Sequence, residues 1–129
     1  MKNNYVGTFN VTCFNRGKNA KLHEPCFEGD YMLGQYCVIL ESPYFNDIVT
    51  SYRKEGYKLS ASCRWGLTMQ SDPDKFFTDG VFDRKMPLGK QVDFESLPYK
   101  CQKAITDYIL EGVLDSRELK IYQRTSNSH

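Results

Sequence analysis

Alternating apolar and polar residues mark the clearest element of the chain. Between Tyr57 and Gln70 every second residue is apolar: Tyr57, Leu59, Ala61, Cys63, Trp65, Leu67 and Met69. A period of two is typical of a strand with one buried face. We therefore predict one long strand over 57–70, with Trp65 on the buried face and Arg64 on the opposite, polar face.

Two earlier segments also have strand patterns. Tyr5 to Phe14 alternates, so that a single strand there carries one apolar face of Tyr5, Phe9, Val11 and Cys13. The segment from Tyr31 to Leu40 is apolar on both faces, with Leu33, Cys37 and Ile39 on one and Met32, Tyr36, Val38 and Leu40 on the other. A strand that is apolar on both faces is typical of the middle of a sheet covered on both sides.

Helical spacing appears in two places. The first predicted helix begins with Ser42 as its N-cap and Pro43 in its first turn, and Gly56 can end it. Its apolar residues are Tyr44, Phe45, Ile48, Val49 and Tyr52. The second helix begins near Ser96 and has an apolar stripe of Leu97, Cys101, Ala104, Ile105, Tyr108, Ile109 and Val113. Leu119, Ile121 and Tyr122 then predict a short last strand.

This order of elements favours an α+β fold, with a mostly antiparallel sheet and two amphipathic helices on one of its faces. A chain of 129 residues is the size of one domain. We expect a single globular domain over residues 1–123 and a flexible tail over 124–129.

The segment from Ser71 to Phe94 is too long for a simple connection in a compact domain. Asp79-Gly80 lies between two aromatic triplets and favours a type I′ turn, which predicts an inserted aromatic β-hairpin. Two interpretations of this hairpin stay open. Its apolar side chains either fold back as a lid over the sheet or contact another protein or a second copy of the chain, and the predicted contact residues are Phe76, Phe77, Val81 and Phe82.

Composition and charge narrow the class of protein. The hydrophobic fraction of 40% excludes a disordered chain, and no apolar run is long enough to span a bilayer. The net charge of +1 provides little general attraction for nucleic acid or membrane. The first residues do not resemble a secretory signal. Five cysteines cannot form a complete set of internal disulfides, which favours a reducing compartment. We therefore expect a cytoplasmic protein without a membrane partner.

Candidate metal ligands form only incomplete patterns. Cys13, His23 and Cys26, with Cys37 as a fourth ligand, are the residue types that bind zinc, but their spacing is irregular. Asp72, Asp74 and Asp79 resemble a calcium loop, in which carboxylates at alternate positions converge on the ion, but no Asp or Asn follows at the next alternate position and the glycine and glutamate are not at EF-hand spacing. We therefore expect neither a metal nor another cofactor.

Candidate catalytic residues are also scarce. His23 and His129 are the only histidines that could activate a nucleophile, and no glycine-rich phosphate loop occurs. The sequence therefore favours a non-enzymatic recognition module, such as a small inhibitor or adaptor that binds another protein. One alternative is a nucleotide or single-stranded nucleic-acid binder that uses Lys58 and Arg64 on the polar sheet face, and another is a small hydrolase or transferase.

Overall fold

The computed structural model describes the backbone of residues 4–6, 9–20, 23–26 and 29–112, and the side chains of residues 10–20 and 32–111. The last strand predicted at residues 119–122 and the tail predicted at 124–129 lie outside this part. Within it, no helix is both long enough and apolar enough to cross a membrane.

A six-stranded antiparallel sheet forms the centre of the molecule. The strands in chain order are β1 (Asn4–Val6), β2 (Phe9–Asn15), β3 (His23–Cys26), β4 (Gly29–Met32), β5 (Tyr36–Glu41), β6 (Cys63–Met69), β7 (Phe77–Asp83) and β8 (Lys90–Val92). The main sheet has the order β1-β2-β5-β6-β7, and β8 also pairs with β2. Strands β3 and β4 form a separate two-stranded sheet. With helices α1 (Pro43–Lys54) and α2 (Tyr99–Gly112), this confirms the predicted α+β class.

Strand β5 is the buried middle of the sheet, as its pattern predicts. Val38 and Leu40 lie in the core under the helices, whereas Cys37 and Ile39 lie in a second core on the opposite face, and all four are fully buried. The strand is shorter than the predicted range of 31–40, because Gly29–Met32 pairs with β3 instead. At Gly34 the backbone N–H donates to the Thr68 hydroxyl at 2.7 Å, so the chain turns here before it enters β5.

Both helices pack on the same face of the sheet. Phe45 and Val49 of α1 join Cys101, Ile105 and Ile109 of α2 in one core, together with Val11, Cys13, Leu67 and Met69 of the strands. The Ser42 hydroxyl caps α1 by accepting from the Phe45 N–H at 3.2 Å, and Gly56 has a φ of +104° just after the helix. Helix α2 begins at Tyr99 and not at Ser96. Leu97 is extended because it precedes Pro98, and residues Phe94–Ser96 form a separate 3-10 helix.

The opposite face has its own smaller core. Leu33, Cys37, Ile39, Phe82 and Leu88 are buried together, and Phe14 and Met86 pack against them. Leu88 is only 2% exposed, so the chain after β7 folds back over this face. Part of the 71–94 segment therefore covers the sheet, as one of the two interpretations of the insertion expects.

The turn predicted at Asp79-Gly80 is wrong. Both residues lie inside β7, where Asp79 is opposite Leu67 and Gly80 is opposite Gly66 of β6. A type I′ turn needs positive φ at both central residues, and Gly80 is not among the glycines with positive φ. The hairpin that does form joins β6 to β7 through residues 70–76. Seven consecutive residue pairs along β6 hold residues 77–83 in one strand.

The other two strand predictions are too long. Residues 57–62 are not part of β6, and Tyr57 is 53% exposed, with its ring against Tyr52 of α1. Arg53 holds the segment to α1, because its Nη2 donates to the Ser60 carbonyl at 2.7 Å, so this carbonyl is bonded to a helix side chain and not to a neighbouring strand. The predicted single strand from 5 to 14 is two strands, because Asn4–Val6 pairs back on β2.

Gly66 is required where Phe82 crosses the sheet. A Cβ at this position would lie 2.5 Å from Phe82 Cδ2 and 2.8 Å from the Val38 carbonyl oxygen. We expect Gly66→Ala to lower the free energy of unfolding by about 1–3 kcal/mol through overpacking, as measured by urea denaturation. Adding Phe82→Leu should recover part of the loss caused by Gly66→Ala, because it removes the ring edge from the clash.

Gly17→Ala is the matched control. No atom lies within 4 Å of its added Cβ, although its φ of +102° is unfavourable for alanine. The effect of Gly17→Ala should therefore be additive with that of Phe82→Leu. Additive free energies for Gly66→Ala and Phe82→Leu would contradict the close contact between this strand and the phenylalanine ring.

Candidate functional site: the outer edge of β7

The four side chains predicted to contact a partner do not form one surface. Val81 is 8% exposed in the core under the helices, and Phe82 is 1% exposed in the core of the opposite face. Phe77 packs against the helix-side core, with its ring 6.1 Å from that of Tyr108, and Phe76 is half-buried. Val81 and Phe82 are therefore core residues, which corrects their assignment as contact side chains.

The backbone of β7 is the accessible feature of this segment. Hydrogen bonds from Gln70 N–H to the Phe76 carbonyl at 3.2 Å and from Arg84 N–H to the Ser62 carbonyl at 3.1 Å mark the even-numbered residues as the bonded partners of β6. In an antiparallel ladder, the residues between bonded pairs point their N–H and C=O groups to the other side. The backbone groups of Phe77, Asp79 and Val81 therefore point away from β6. No other described strand pairs with this side of β7.

A hydrogen-bonded chain joins this edge to helix α2 and the core. The Trp65 Nε1–H donates to the Tyr108 hydroxyl at 2.8 Å, and that hydroxyl donates to Asp79 Oδ2 at 2.6 Å. Burial, followed by the hydrogen bond to Asp79, raises the pKa of Tyr108 well above its usual value, so its hydroxyl keeps its proton. Asp79 is exposed at the middle of the edge, and the hydrogen bond from Tyr108 holds its carboxylate in place.

The edge is acidic. Asp79 and Asp83 are the ionisable side chains of β7, and the strand contains no basic residue. Burial alone would raise the pKa of Asp83, but hydrogen bonds from Ser62, the Lys85 N–H and Ser60 outweigh it and lower the pKa. Asp83 is therefore a carboxylate at neutral pH, fixed at the end of the strand.

The predicted anion-binding pair is not assembled. Arg64 Nε donates to Glu41 Oε2 at 3.0 Å, and Arg84 holds the other carboxylate oxygen at 3.2 Å. Lys58 is exposed and lies in the segment before β6, so it shares no strand face with Arg64. The prediction that Arg64 and Trp65 point to opposite faces is correct, since Trp65 stacks on Tyr52 at a centroid distance of 6.2 Å.

The predicted metal ligands are only partly within the described side chains. The side chains of His23 and Cys26 lie outside that part, and Cys13 and Cys37 lie on opposite faces of the sheet. Asp72 accepts from the Asp74 N–H at 3.1 Å and faces Lys100 at 3.8 Å, whereas Asp79 is bound to Tyr108. Among the side chains that are described, no group of three or more potential ligands could hold a metal.

The described cysteine thiols are core groups. Burial raises the pKa of Cys13 to about 12 and the pKa values of Cys37 and Cys101 to about 11. A thiol must lose its proton to become a nucleophile. At neutral pH these three thiols are therefore protonated and buried.

The raised thiol pKa values predict a loss of stability in alkali. Unfolded cysteines titrate near about 8.5, so above this pH the unfolded chain releases protons that the folded chain retains. The free energy of unfolding is therefore full below about pH 8.5 and falls as the pH rises toward the folded values of about 11 to 12. We expect a lower urea midpoint at a pH of about 10.5 than at about 8.

Cys13→Ala separates the thiol contribution from that of the buried tyrosines. Burial also raises the pKa of Tyr36 and Tyr108, which weakens the fold in alkali with the same sign. The midpoint of Cys13→Ala should therefore still fall with pH, but by less than that of the wild type. An equal fall in both proteins would contradict the assignment to Cys13.

Comparisons of the chain with protein-family models, with curated proteins and with solved structures gave no significant match. A functional assignment therefore depends on the chemistry of the described residues.

Proposed function

We propose that the protein is a non-enzymatic recognition module that binds an extended segment of another protein as an added strand on the outer edge of β7. The observation that carries this proposal is the row of outward-pointing backbone groups at Phe77, Asp79 and Val81. Strand addition of this kind obtains affinity from main-chain hydrogen bonds and specificity from alternate side chains. A protein that works in this way acts as an inhibitor or adaptor by occupying its partner.

The edge is preorganised for such binding. β7 is paired with β6 from Phe77 to Asp83, and its Val81 and Phe82 side chains are anchored in the two cores. Asp79 is positioned by the Tyr108 hydroxyl. A rigid edge loses little conformational entropy on binding, so more of the hydrogen-bond energy appears as affinity.

Charge favours a basic partner strand. The carboxylate of Asp79 lies at the centre of the exposed edge, and Asp83 lies at its end. Opposite charges on directly opposed strand residues stabilise pairing, whereas like charges oppose it. We therefore infer a partner segment with alternating apolar residues and a lysine or arginine opposite Asp79.

The same charges disfavour pairing between two copies of the chain. An antiparallel register centred on Asp79 places the two Asp79 carboxylates opposite each other. A register centred on Val81 places Asp79 opposite Asp83 of the other copy, which again opposes two negative charges. A foreign basic segment avoids both conflicts.

The other two functions considered from the sequence have less support. Nucleotide or nucleic-acid binding by Lys58 and Arg64 requires both side chains on one face of the sheet, but Lys58 lies in the segment before β6. A thiol-dependent hydrolase or transferase requires a thiolate, but burial raises the pKa values of Cys13, Cys37 and Cys101. Strand addition requires only groups that β7 already presents.

Selection from a displayed random peptide library tests the proposal. The wild type should select peptides with period-two apolar residues and an excess of lysine and arginine. Amide hydrogen exchange with a selected peptide bound should slow at Phe77, Asp79 and Val81, because their N–H groups become bonded. Asp79→Lys should shift the selection from basic to acidic peptides and weaken the wild-type peptides by about tenfold or more, as expected for reversal of an opposed charge pair.

Asp107→Lys is the matched control, because it makes the same charge change at an exposed position on α2. It should leave peptide preference and affinity unchanged. Tyr108→Phe removes the hydrogen bond to Asp79 and keeps the charge of Asp79. The change in peptide affinity that it causes measures the contribution of holding the Asp79 carboxylate in place. The proposal would be contradicted if the selected peptides protected amides outside β7, or if Asp79→Lys and Asp107→Lys changed peptide affinity equally. A dimer seen in sedimentation and strengthened by Asp79→Lys would also contradict it.

A further inference from the structure

A cleft separates helix α1 from the segment that leads into β6. Its volume is about 560 Å³, which falls within the range of small-molecule sites. Leu59, which is half-buried, gives the cleft apolar surface, whereas Val49 and Cys63 lie beneath it and are 2% and 1% exposed. Arg53 and Arg64 also line the cleft. The cleft therefore combines apolar surface with two guanidinium groups.

Each of these arginines is fixed by some of its donors and has others to spare. Arg64 uses Nε for Glu41 and Nη1 for the Ala61 and Cys63 carbonyls, at 2.7 and 2.8 Å. Arg53 uses Nη2 for the Ser60 carbonyl at 2.7 Å. A guanidinium group has five N–H donors. Nη2 of Arg64, and Nε and Nη1 of Arg53, therefore have no acceptor in the described part of the chain.

The carboxylate of Glu41 does not cancel the charge of both arginines. It also lines the cleft, but it is shared between Arg64 and Arg84, which approach its two oxygens. Arg53 has no carboxylate within ion-pair distance among the described residues. Two arginines and one glutamate line the cleft, and this excess of positive charge favours an anionic ligand.

We propose that this cleft binds a phosphate monoester that carries an apolar group. A phosphate dianion has several oxygens that accept hydrogen bonds, and Nη2 of Arg64 and Nε and Nη1 of Arg53 have N–H groups left to donate to them. The apolar group lies against Leu59. This site is separate from the outer edge of β7, so it does not depend on the proposed strand addition.

Phenyl phosphate is the probe for the proposal, and inorganic phosphate and phenol are its two matched halves. Titration followed by ¹⁵N–¹H spectra should shift the amides of Asn46, Thr50 and Ala61, which line the cleft. Phenyl phosphate should bind at least about tenfold more tightly than either half, since only it uses both the guanidinium groups and the apolar surface. Benzoate should bind more weakly, because it carries a single negative charge.

Arg53→Gln should weaken phenyl phosphate binding by about tenfold or more, the scale of a lost charge-assisted hydrogen bond. Arg64→Gln should have a similar effect, and Arg53→Lys should recover part of the affinity because it keeps the positive charge. Lys103→Gln is the matched control, since Lys103 is an exposed cation on α2 that pairs with Asp107 at 2.9 Å. It should leave binding unchanged.

Thermal unfolding of every variant keeps the test independent of folding. Arg64 also bonds the Ala61 and Cys63 carbonyls, so a loss of binding in Arg64→Gln counts only if this variant melts like the wild type. Arg53→Gln tests the same proposal at a second residue. Equal binding of phenol and phenyl phosphate, equal binding of benzoate, or equal losses in Arg53→Gln and Lys103→Gln would each overturn the proposal.

Discussion

The burial of β5 on both faces is the constraint on which the rest of the structure depends. Residues 37–40 are fully buried, so their N–H and C=O groups must be hydrogen-bonded, and these residues pair with β2 on one side and β6 on the other. Thr68 completes this arrangement at the start of the strand. Its buried hydroxyl donates to the Tyr36 carbonyl at 3.0 Å and accepts from the Gly34 N–H at 2.7 Å. Two cores on opposite faces then follow from the alternation of β5 itself.

The position of β7 is a consequence of this order. β6 must bond to β5, so the strand that follows by a hairpin adds to the far side of β6, where it is an edge among the described strands. An edge strand keeps its outward backbone groups, whatever its side chains do. Val81 and Phe82 of β7 are used for the two cores, and none of the described strands bonds the outer side of its backbone. The accessible surface of this segment is therefore polar main chain, where the sequence alone suggests aromatic side chains.

Periodicity predicted the elements whose environment is uniform along their length. The two apolar faces of β5 and the cap and stripe of α1 follow from local residues, because each depends on contacts that repeat at a fixed spacing. The turn predicted from the Asp79-Gly80 dipeptide was wrong, because pairing with β6 outweighs the local preference of these two residues for a turn. Gly80 lies opposite Gly66, and the ring of Phe82 occupies the space that a Cβ at Gly66 would need. Only the register of β6 against β7 shows why residues 79 and 80 lie in a strand and not in a turn.

The role of Arg64 shows the same limit for the candidate sites. The sequence places it correctly on the face opposite Trp65, but its partner Glu41 is 23 residues away and is brought close by the pairing of β5 with β6. Nothing in the local pattern predicts such a pair.

The 57–62 segment connects these observations. Its alternation predicts a continued strand, but α1 ends at Lys54 beside it, and Arg53 bonds the Ser60 carbonyl in place of a neighbouring strand. Leu59 is consequently turned toward α1 and lines the cleft with Val49. A period-two pattern specifies which side chains are apolar, whereas the surface they contact depends on which neighbour bonds the backbone. Here that neighbour is a helix, and a cleft with two partly unsatisfied arginines forms where the sequence predicts a sheet face.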